Sequence, residues 1–258
     1  MEITQANKPI SSMQPASSGR SLPVTWLGRN WIWLFTLVIG LYVGLPFLAP
    51  VFMKLGLTVP ARILYGLYSL QCHQLPQRSF FLFGPRLSYS LAEIQSAWKD
   101  STDPMVLRQF VGNPSLGWKV AWSDRMVSMY TSLPVFGLAW WGLQRWLAPR
   151  QLPRLPLWGC VLLILPMAID GFSHFISDFS GLGQGFRDTN AWLVGLTRNA
   201  LPPTFYAGDV LGSFNSWMRL ISGLLFGLGV VWFSFPHFDE WFNDLARPEK
   251  SRERIVAE

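Results

Sequence analysis

The sequence predicts an all-α, multi-pass membrane protein with about four transmembrane helices and short interfacial helices in an outer cap. Half of the 258 residues (50%) are hydrophobic, and only 14% are charged, well below the usual quarter for a soluble domain. The charged residues are confined to the two ends and to two connecting segments, with long apolar runs between them. The 14 Trp and 19 Phe residues suit lipid-facing and interfacial positions.

The chain is basic, with a formal net charge of +6. This charge does not indicate nucleic-acid binding, because the basic residues lie at helix ends and not in one patch. Anionic headgroups explain them more simply, so membrane lipids are the expected partners. The two cysteines, Cys72 in a loop region and Cys160 in an apolar helix, do not predict a disulfide or a paired-cysteine zinc site.

Three segments follow from this composition. Residues 1–30 are polar and rich in Ser and Pro, which predicts a disordered cytoplasmic tail. Residues 31–235 form the predicted helical membrane domain, with residues 53–125 as its outer cap. Residues 236–258 are expected to form a cytoplasmic interfacial helix, with Phe238 on its apolar stripe, and a charged tail.

Long apolar runs predict the individual spans, because about 20 residues cross a bilayer. The predicted transmembrane helices cover residues 31–52, 126–146, 155–178 and 214–235. Gly40 with Gly44 and Gly223 with Gly227 are small-xxx-small pairs that can mark helix-packing faces. Arginines crowd the short connection between the second and third spans. The positive-inside rule then places both termini of this cell-membrane protein in the cytoplasm.

The predicted cap carries start signals for short helices. Residues 63–70 are apolar but too few to span a bilayer, which predicts a re-entrant or interfacial helix. Ser90 and Glu93 make a capping box, and Asp103 precedes a first-turn proline, a pattern typical of helix starts. The turn-rich residues 112–119 are expected to form a loop.

Polar residues interrupt the third predicted span. Asp170, His174 and Asp178 are spaced by four residues, so they share one helical face. Ionisable groups at membrane depth need a partner or water. Polar groups from other segments lie at the same outer level of the membrane, and we expect all of them to converge in one pocket. The predicted pocket residues are Cys72, His73, Arg78, Asp124, Arg125, Asp170, His174, Asp178, Asn215 and Arg219.

Three interpretations of this pocket stay open. In the first, Asp170 pairs with Arg219 or Arg125, and structural ion pairs lock the bundle. In the second, the pocket is a proton site or holds a divalent metal ion. The candidate metal ligands are Asp170, His174, Cys72 and His73. In the third, the arginines hold an anionic headgroup or solute.

The function that follows is an accessory or a small-ligand or ion-binding membrane protein. A metal-dependent membrane enzyme is the first alternative, although no catalytic residue can be assigned. A small-solute transporter is the second, and four spans are few for a transporter unless it acts as an oligomer. A larger membrane complex or a homo-oligomer is therefore a candidate partner besides lipid.

Several motifs together resemble a family of small prokaryotic integral-membrane proteins catalogued as a domain of unknown function. The motifs are Cys72-His73-Gln74, Arg78-Ser79-Phe80, Asp170-Gly171, Ser213-x-Asn215 and Arg219-x-x-x-Gly223. The resemblance covers roughly residues 35–233 and implies a helical membrane protein without supplying a reaction.

The chain departs from this family pattern at two places. Ser123-Asp124-Arg125 stands where the family tends to have Cys-Ala-Arg, and His174 stands where it tends to have Gln. The first departure argues against a thiolate-based metal site or a disulfide with Cys72.

Overall fold

The computed structural model describes residues 22–148 and 152–246. The helices in these residues are α1 (Leu22–Lys54), α2 (Thr58–Ser69), α3 (Leu91–Ala97), α4 (Pro104–Leu107), α5 (Asp124–Leu147), α6 (Leu157–Asp178), α7 (Phe186–Thr189), α8 (Ala191–Thr197), α9 (Pro203–Tyr206) and α10 (Phe214–Ala246). The strands are β1 (Ser79–Leu82), β2 (Gly112–Asn113) and β3 (Gly117–Ser123). The fold is therefore mostly helical, as predicted.

Residues 32–239 form one compact unit and contain every predicted pocket residue. Of the described residues, 22–31 and 240–246 belong to a second, smaller unit. In the smaller unit the rings of Trp31 and Phe242 stack with centroids 5.3 Å apart. Gly28 lies against the same region, where an added Cβ would be 2.9 Å from the Cβ of Ala246.

Within the described residues, three helical segments are long and apolar enough to cross a membrane, namely Val24–Lys54, Leu157–Asp178 and Phe214–Ala246. They coincide with the first, third and fourth predicted spans. Helix α5 occupies the second predicted span, but it does not reach the same hydropathy. One side of α5 buries Ser128 and Ser132, and these hydroxyls lower its apolar content.

Two helix boundaries differ from the predicted segments. Helix α1 begins at Leu22, so residues 22–30, expected in the disordered tail, are helical; residues 1–21 lie outside the described residues. Helix α10 continues through Pro236 to Ala246, so no separate helix begins after residue 235. The proline is tolerated because its neighbour Phe235 packs edge to face against Phe35 and Trp140, which offsets one lost backbone hydrogen bond. The predicted tail from residue 247 onward lies outside the described residues.

The all-α prediction missed a three-stranded antiparallel sheet with the order β1-β3-β2. The residues predicted as a turn-rich loop contain β2 and the start of β3, which closes a hairpin. Gly112 and Gly117 both have positive φ values, and a Cβ on Gly117 would lie 2.6 Å from the nitrogen of Gly84. Only glycine permits so close a backbone approach. Aromatic and β-branched residues in β3, such as Trp118 and Val120, favour the extended strand.

The sheet is anchored by aromatic residues from α1 and α2. The ring of Trp122 on β3 is fully buried and contacts Tyr42 and Tyr68 edge to face, each at 5.1 Å between centroids. The Tyr68 hydroxyl donates a hydrogen bond to the backbone oxygen of Tyr42 at 2.7 Å. These contacts connect the segment between α1 and α5 to the first long helix.

Both predicted helix starts in this segment are confirmed. Ser90 and Glu93 form a complete capping box at the start of α3. The carboxylate of Asp103 accepts the backbone N–H of Met105 at 2.7 Å at the start of α4. Helix α2 covers the apolar stretch that was too short to span a bilayer.

The two glycine pairs have different environments. A Cβ on Gly227 would overlap the hydroxyl of Ser132 on α5 and lie 2.7 Å from its Cβ, and one on Gly223 would lie 2.9 Å from the nitrogen of Met129. Helices α5 and α10 therefore approach closely at this pair, as small residues permit. Gly40 and Gly44 on α1 have nothing within 4 Å of an added Cβ.

We expect Gly227→Ala to lower the melting temperature of the detergent-purified protein, because overpacking of a close helix contact costs about 1–3 kcal/mol. Gly44→Ala is the matched control, since the same methyl group enters open space on another long helix. It should leave the melting temperature unchanged or slightly higher. Equal losses in both variants would show that α5 and α10 do not meet at this glycine.

Lys119 lies in the middle of β3 and is fully buried. Its ammonium donates hydrogen bonds to the backbone oxygens of Gln74 at 2.7 Å and Arg108 at 3.0 Å. Burial disfavours the charged form and lowers the pKa of Lys119 to about 7 from its ordinary 10.5. The side chain therefore ties together two loops of the segment between α2 and α5 at the cost of burying an amine.

This burial makes stability depend on pH. Between pH 7 and pH 10.5, unfolding takes up a proton at Lys119, so the free energy of unfolding rises with pH across that window. We expect Lys119→Met to be destabilised relative to the wild type most strongly at pH 10 and least at pH 6, measured as melting temperatures in one detergent. If the difference in melting temperature between the two proteins stays constant with pH, the lowered pKa of Lys119 is wrong.

Candidate functional site

Most of the predicted pocket residues take part in two groups of ion pairs, which are linked by the hydrogen bond from the backbone N–H of Arg125 to Asp124. Asp124 and Arg125 form the first turn of α5, and Asp170, His174 and Asp178 follow one face of α6 in its last turns. The other members come from the short helices and loops beside these helix ends. We define the ion-pair network as the guanidinium groups of Arg78, Arg125, Arg187 and Arg219 with the carboxylates of Asp124, Asp170, Asp178, Asp188 and Asp209.

Arg78 is the last residue of the 3₁₀ turn Pro76–Arg78 and donates hydrogen bonds to two carboxylates. Its Nη1 and Nη2 donate to the two oxygens of Asp178 at 2.8 and 2.7 Å, which is the bidentate geometry that a guanidinium prefers. Its Nε donates to Asp209 at 2.6 Å. Burial alone would lower the pKa of Arg78, but the two carboxylates outweigh burial and raise it.

Arg219 on α10 is 1% exposed and donates hydrogen bonds to two carboxylates. Its Nε donates to Asp124 at 2.8 Å, and its Nη1 donates to Asp209 at 2.6 Å. Asp209 thus bridges Arg219 and Arg78. Burial alone would raise the pKa of Asp209, but the two guanidinium groups hold it well below its usual range.

Asp170 pairs with Arg125, one of the two partners that the sequence predicted. The Nη2 of Arg125 donates to one oxygen of Asp170 at 2.8 Å. The second oxygen accepts from the Nη2 of Arg187 at 2.6 Å, so Arg219 is not a direct partner of Asp170.

His174 lies beside this pair. Its Nε2 is 3.1 Å from the Nη2 of Arg187, and an arginine can only donate. The imidazole therefore accepts at Nε2 and carries its proton on Nδ1. That Nδ1 is buried and has no partner among residues 22–148 and 152–246.

Sequence reasoning missed Arg187, Asp188 and Asp209, which lie between α6 and α10. The signal that could have found them is the scarcity of charge, because each is a charged residue between two predicted spans. With them the network contains five carboxylates and four guanidinium groups. Burial raises the pKa of Asp188, and the negative charges of Asp209 and Asp178 raise it further.

The Ser213-x-Asn215 motif of the family resemblance positions Arg187 and Asp209, two of the residues that the sequence did not predict. The Ser213 hydroxyl accepts the N–H of Ser216 at the start of α10 and donates to the oxygen of Gly208, next to Asp209. The amide of Asn215 donates to the backbone oxygen of Arg187 at 2.6 Å. This motif therefore fixes the backbone on which the network depends.

A cavity of about 330 Å³ lies against one side of the network. Seven of the ten predicted pocket residues line it, namely Cys72, His73, Arg78, Asp124, Arg125, Asp178 and Arg219. Asp170, His174 and Asn215 do not line it and are buried behind its wall. The apolar part of the wall comes from Met126, Phe175, Phe179, Leu182 and the ring of Pro104.

Arg125 lines this cavity and has hydrogen-bond donors that no described residue uses. Of its guanidinium nitrogens, only Nη2 donates a hydrogen bond to another described side chain. Its Nε is buried without a partner, and Nη1 takes part in no hydrogen bond within the described chain. The side chain is 23% exposed. A guanidinium in this state can bind an additional anionic group.

The predicted metal set is not assembled among the residues that the structure describes. In these residues no group of three or more His, Cys, Asp or Glu side chains could hold a metal ion. Asp170 has an arginine on each oxygen, and the Nε2 of His174 faces Arg187. Both free cysteines, Cys72 and Cys160, are buried.

Comparisons with known proteins agree with a membrane protein. The family model described as "Predicted membrane protein (DUF2085)" matches residues 115–233, which include most of the network. An uncharacterized protein of Methanocaldococcus jannaschii is 27% identical over 199 residues, which cover 75% of this chain and 83% of the archaeal protein. No solved structure matches the chain.

These similarities and the three apolar helices identify a membrane protein. The descriptions of both similar sequences name no reaction, ligand or partner.

We expect Asp209→Asn to destabilise the protein strongly, because it leaves Arg78 and Arg219 buried without their shared carboxylate. Breaking a buried pair from one side costs about 3–5 kcal/mol. The control is Arg86→Gln, which removes the exposed pair with Glu93 and should leave the melting temperature unchanged. A melting temperature for Asp209→Asn within error of the wild type would contradict the bridging role.

Proposed function

We propose that this chain is a multi-pass membrane protein with four spans that binds a small anionic ligand in the cavity beside Arg125. The single observation that carries the proposal is that Arg125 lines the cavity while its guanidinium donates only one hydrogen bond to a described residue, from Nη2 to Asp170. Arginine is suited to carboxylate and phosphate groups because its planar donors match their oxygens.

The proposed topology adds α5 to the three apolar helices, which gives four spans in total. Its 24 residues correspond to about 36 Å at 1.5 Å per residue, longer than a hydrocarbon core of about 30 Å. Its hydroxyls face α10, while Val135 and Leu143 are exposed where lipid would contact them. With both termini in the cytoplasm, the ends of α5 and α6 that carry the network lie at the outer leaflet, beneath a cap of residues 53–125.

The electrostatics around Arg125 favour an anion. Arg125 of the cavity wall shares the single carboxylate of Asp170 with Arg187, so this group of ion pairs carries one excess positive charge. The volume of about 330 Å³ lies at the lower end of the range for small-molecule pockets. Nothing among the described residues favours a metal-dependent enzyme or an oligomeric transporter over this binding role.

We expect Arg125→Gln to weaken the binding of an anionic probe, glycerol 3-phosphate, by about tenfold or more, since a hydrogen bond to a charged group contributes about 1.5–3 kcal/mol. Binding is measured by calorimetry on the detergent-purified full chain. Arg62→Gln, which removes an exposed positive charge elsewhere on the chain, should bind as the wild type does.

Arg125→Lys keeps the charge but loses the planar pair of donors, so it should recover only part of the affinity. Its folding is checked by the melting temperature before titration. Wild-type protein that binds neither glycerol 3-phosphate nor an anionic lipid would overturn the proposed function and leave the network as a structural lock.

A further inference from the structure

The cavity wall has two chemically different halves. One half consists of the charged residues at the ends of α5, α6 and α10. The other half includes Phe175 of α6, Phe179 directly after α6, and Met126 of α5. A ligand that fills such a space needs one polar and one apolar part.

The apolar half continues onto the outer surface of a candidate membrane span. Phe172, Phe175 and Phe179 are 64%, 58% and 77% exposed and follow one side of α6 at spacings of three and four residues. Their rings contact each other in sequence, with centroids 6.4 and 4.8 Å apart. Phe175 and Phe179 therefore belong both to the cavity wall and to the exposed aromatic row.

The polar half can be reached from outside the protein. The side chains of Asp178 and Arg125 are 27% and 23% exposed, while those of Asp170 and Arg219 behind them are 5% and 2% exposed. A headgroup can therefore reach Arg125 without disturbing the buried pairs.

We propose that the ligand is an anionic phospholipid that enters the cavity sideways from the bilayer. Its phosphate binds Arg125, and the start of an acyl chain lies along Phe175 and Phe179. This inference rests on the proposed function and names the class of ligand for the same cavity. Charge complementarity selects an anionic headgroup, because Arg125 and Arg187 share only one carboxylate, that of Asp170.

The proposal separates the roles of two parts of the site. Arg125 should matter for every phosphate-bearing ligand, since it contacts the phosphate. Phe179 should matter only for ligands that carry an acyl chain. Because Phe179 is so exposed, its replacement removes little internal packing.

The test uses lipid-depleted, detergent-purified full-length protein and measures dissociation constants by native mass spectrometry. The probes are dihexanoyl phosphatidylglycerol, dihexanoyl phosphatidylcholine and glycerol 3-phosphate. The variants are Arg125→Gln, Phe179→Ser and the control Leu41→Ser, which removes a similarly exposed apolar side chain from α1.

We expect phosphatidylglycerol to bind more tightly than either other probe. Arg125→Gln should weaken phosphatidylglycerol and glycerol 3-phosphate by about tenfold or more. Phe179→Ser should weaken phosphatidylglycerol several-fold and leave glycerol 3-phosphate unchanged, and Leu41→Ser should change neither.

Two outcomes would overturn the inference while leaving the proposed function intact. In one, glycerol 3-phosphate binds as tightly as phosphatidylglycerol and Phe179→Ser affects neither, so the ligand is a soluble anion. In the other, phosphatidylcholine binds as tightly as phosphatidylglycerol, so the headgroup charge is not recognised. If no probe binds, the proposed function itself fails.

Discussion

The cost of removing charge from water governs this structure. Nine ionised side chains of the ion-pair network lie between the ends of three long helices, and an isolated buried charge would cost several kcal/mol. Each guanidinium therefore has at least one carboxylate within hydrogen-bond distance. Asp209 is central because it accepts from Arg78 and Arg219 together, and so connects the segment before the sheet to the last long helix. The loop between α9 and α10 is thus as important for the network as the helices are.

Local structure brings these groups together in different ways. On α6, a spacing of four residues places Asp170 and Asp178 on one face, where they reach different arginines. At the start of α10, Ser213 and Asn215 hold the neighbouring loops through backbone hydrogen bonds. Ser177 of α6 accepts the backbone N–H of Arg187 at 3.0 Å, which fixes the start of α7. Short polar residues next to helix ends therefore determine where the long charged side chains can go.

Sequence reasoning predicted the long helices, the faces of their polar residues and the meeting of distant charges, because helical periodicity and the cost of buried charge act locally. It could not choose partners. Arg219 pairs with Asp124 and Asp209 and not with Asp170, since periodicity gives the face of a helix but not its rotation against neighbours. The sheet was not predicted because its strands are short and because buried Lys119 interrupts the apolar pattern of β3. The end of α10 was misplaced because the packing of Phe235 overrides the signal of Pro236.

The network is an expensive way to hold helices together. Replacing buried ion pairs by apolar residues is often neutral or stabilising, and other contacts already join the long helices here. Gly223 and Gly227 let α5 and α10 approach closely, and aromatic residues join β3 to α1 and α2. Arg78 and Arg219 each donate three side-chain hydrogen bonds within the network, whereas Arg125 donates one, to Asp170. Arg125 lies at a cavity wall with one carboxylate partner and other donors unused. This arrangement is better explained by a ligand-binding residue than by a structural ion pair.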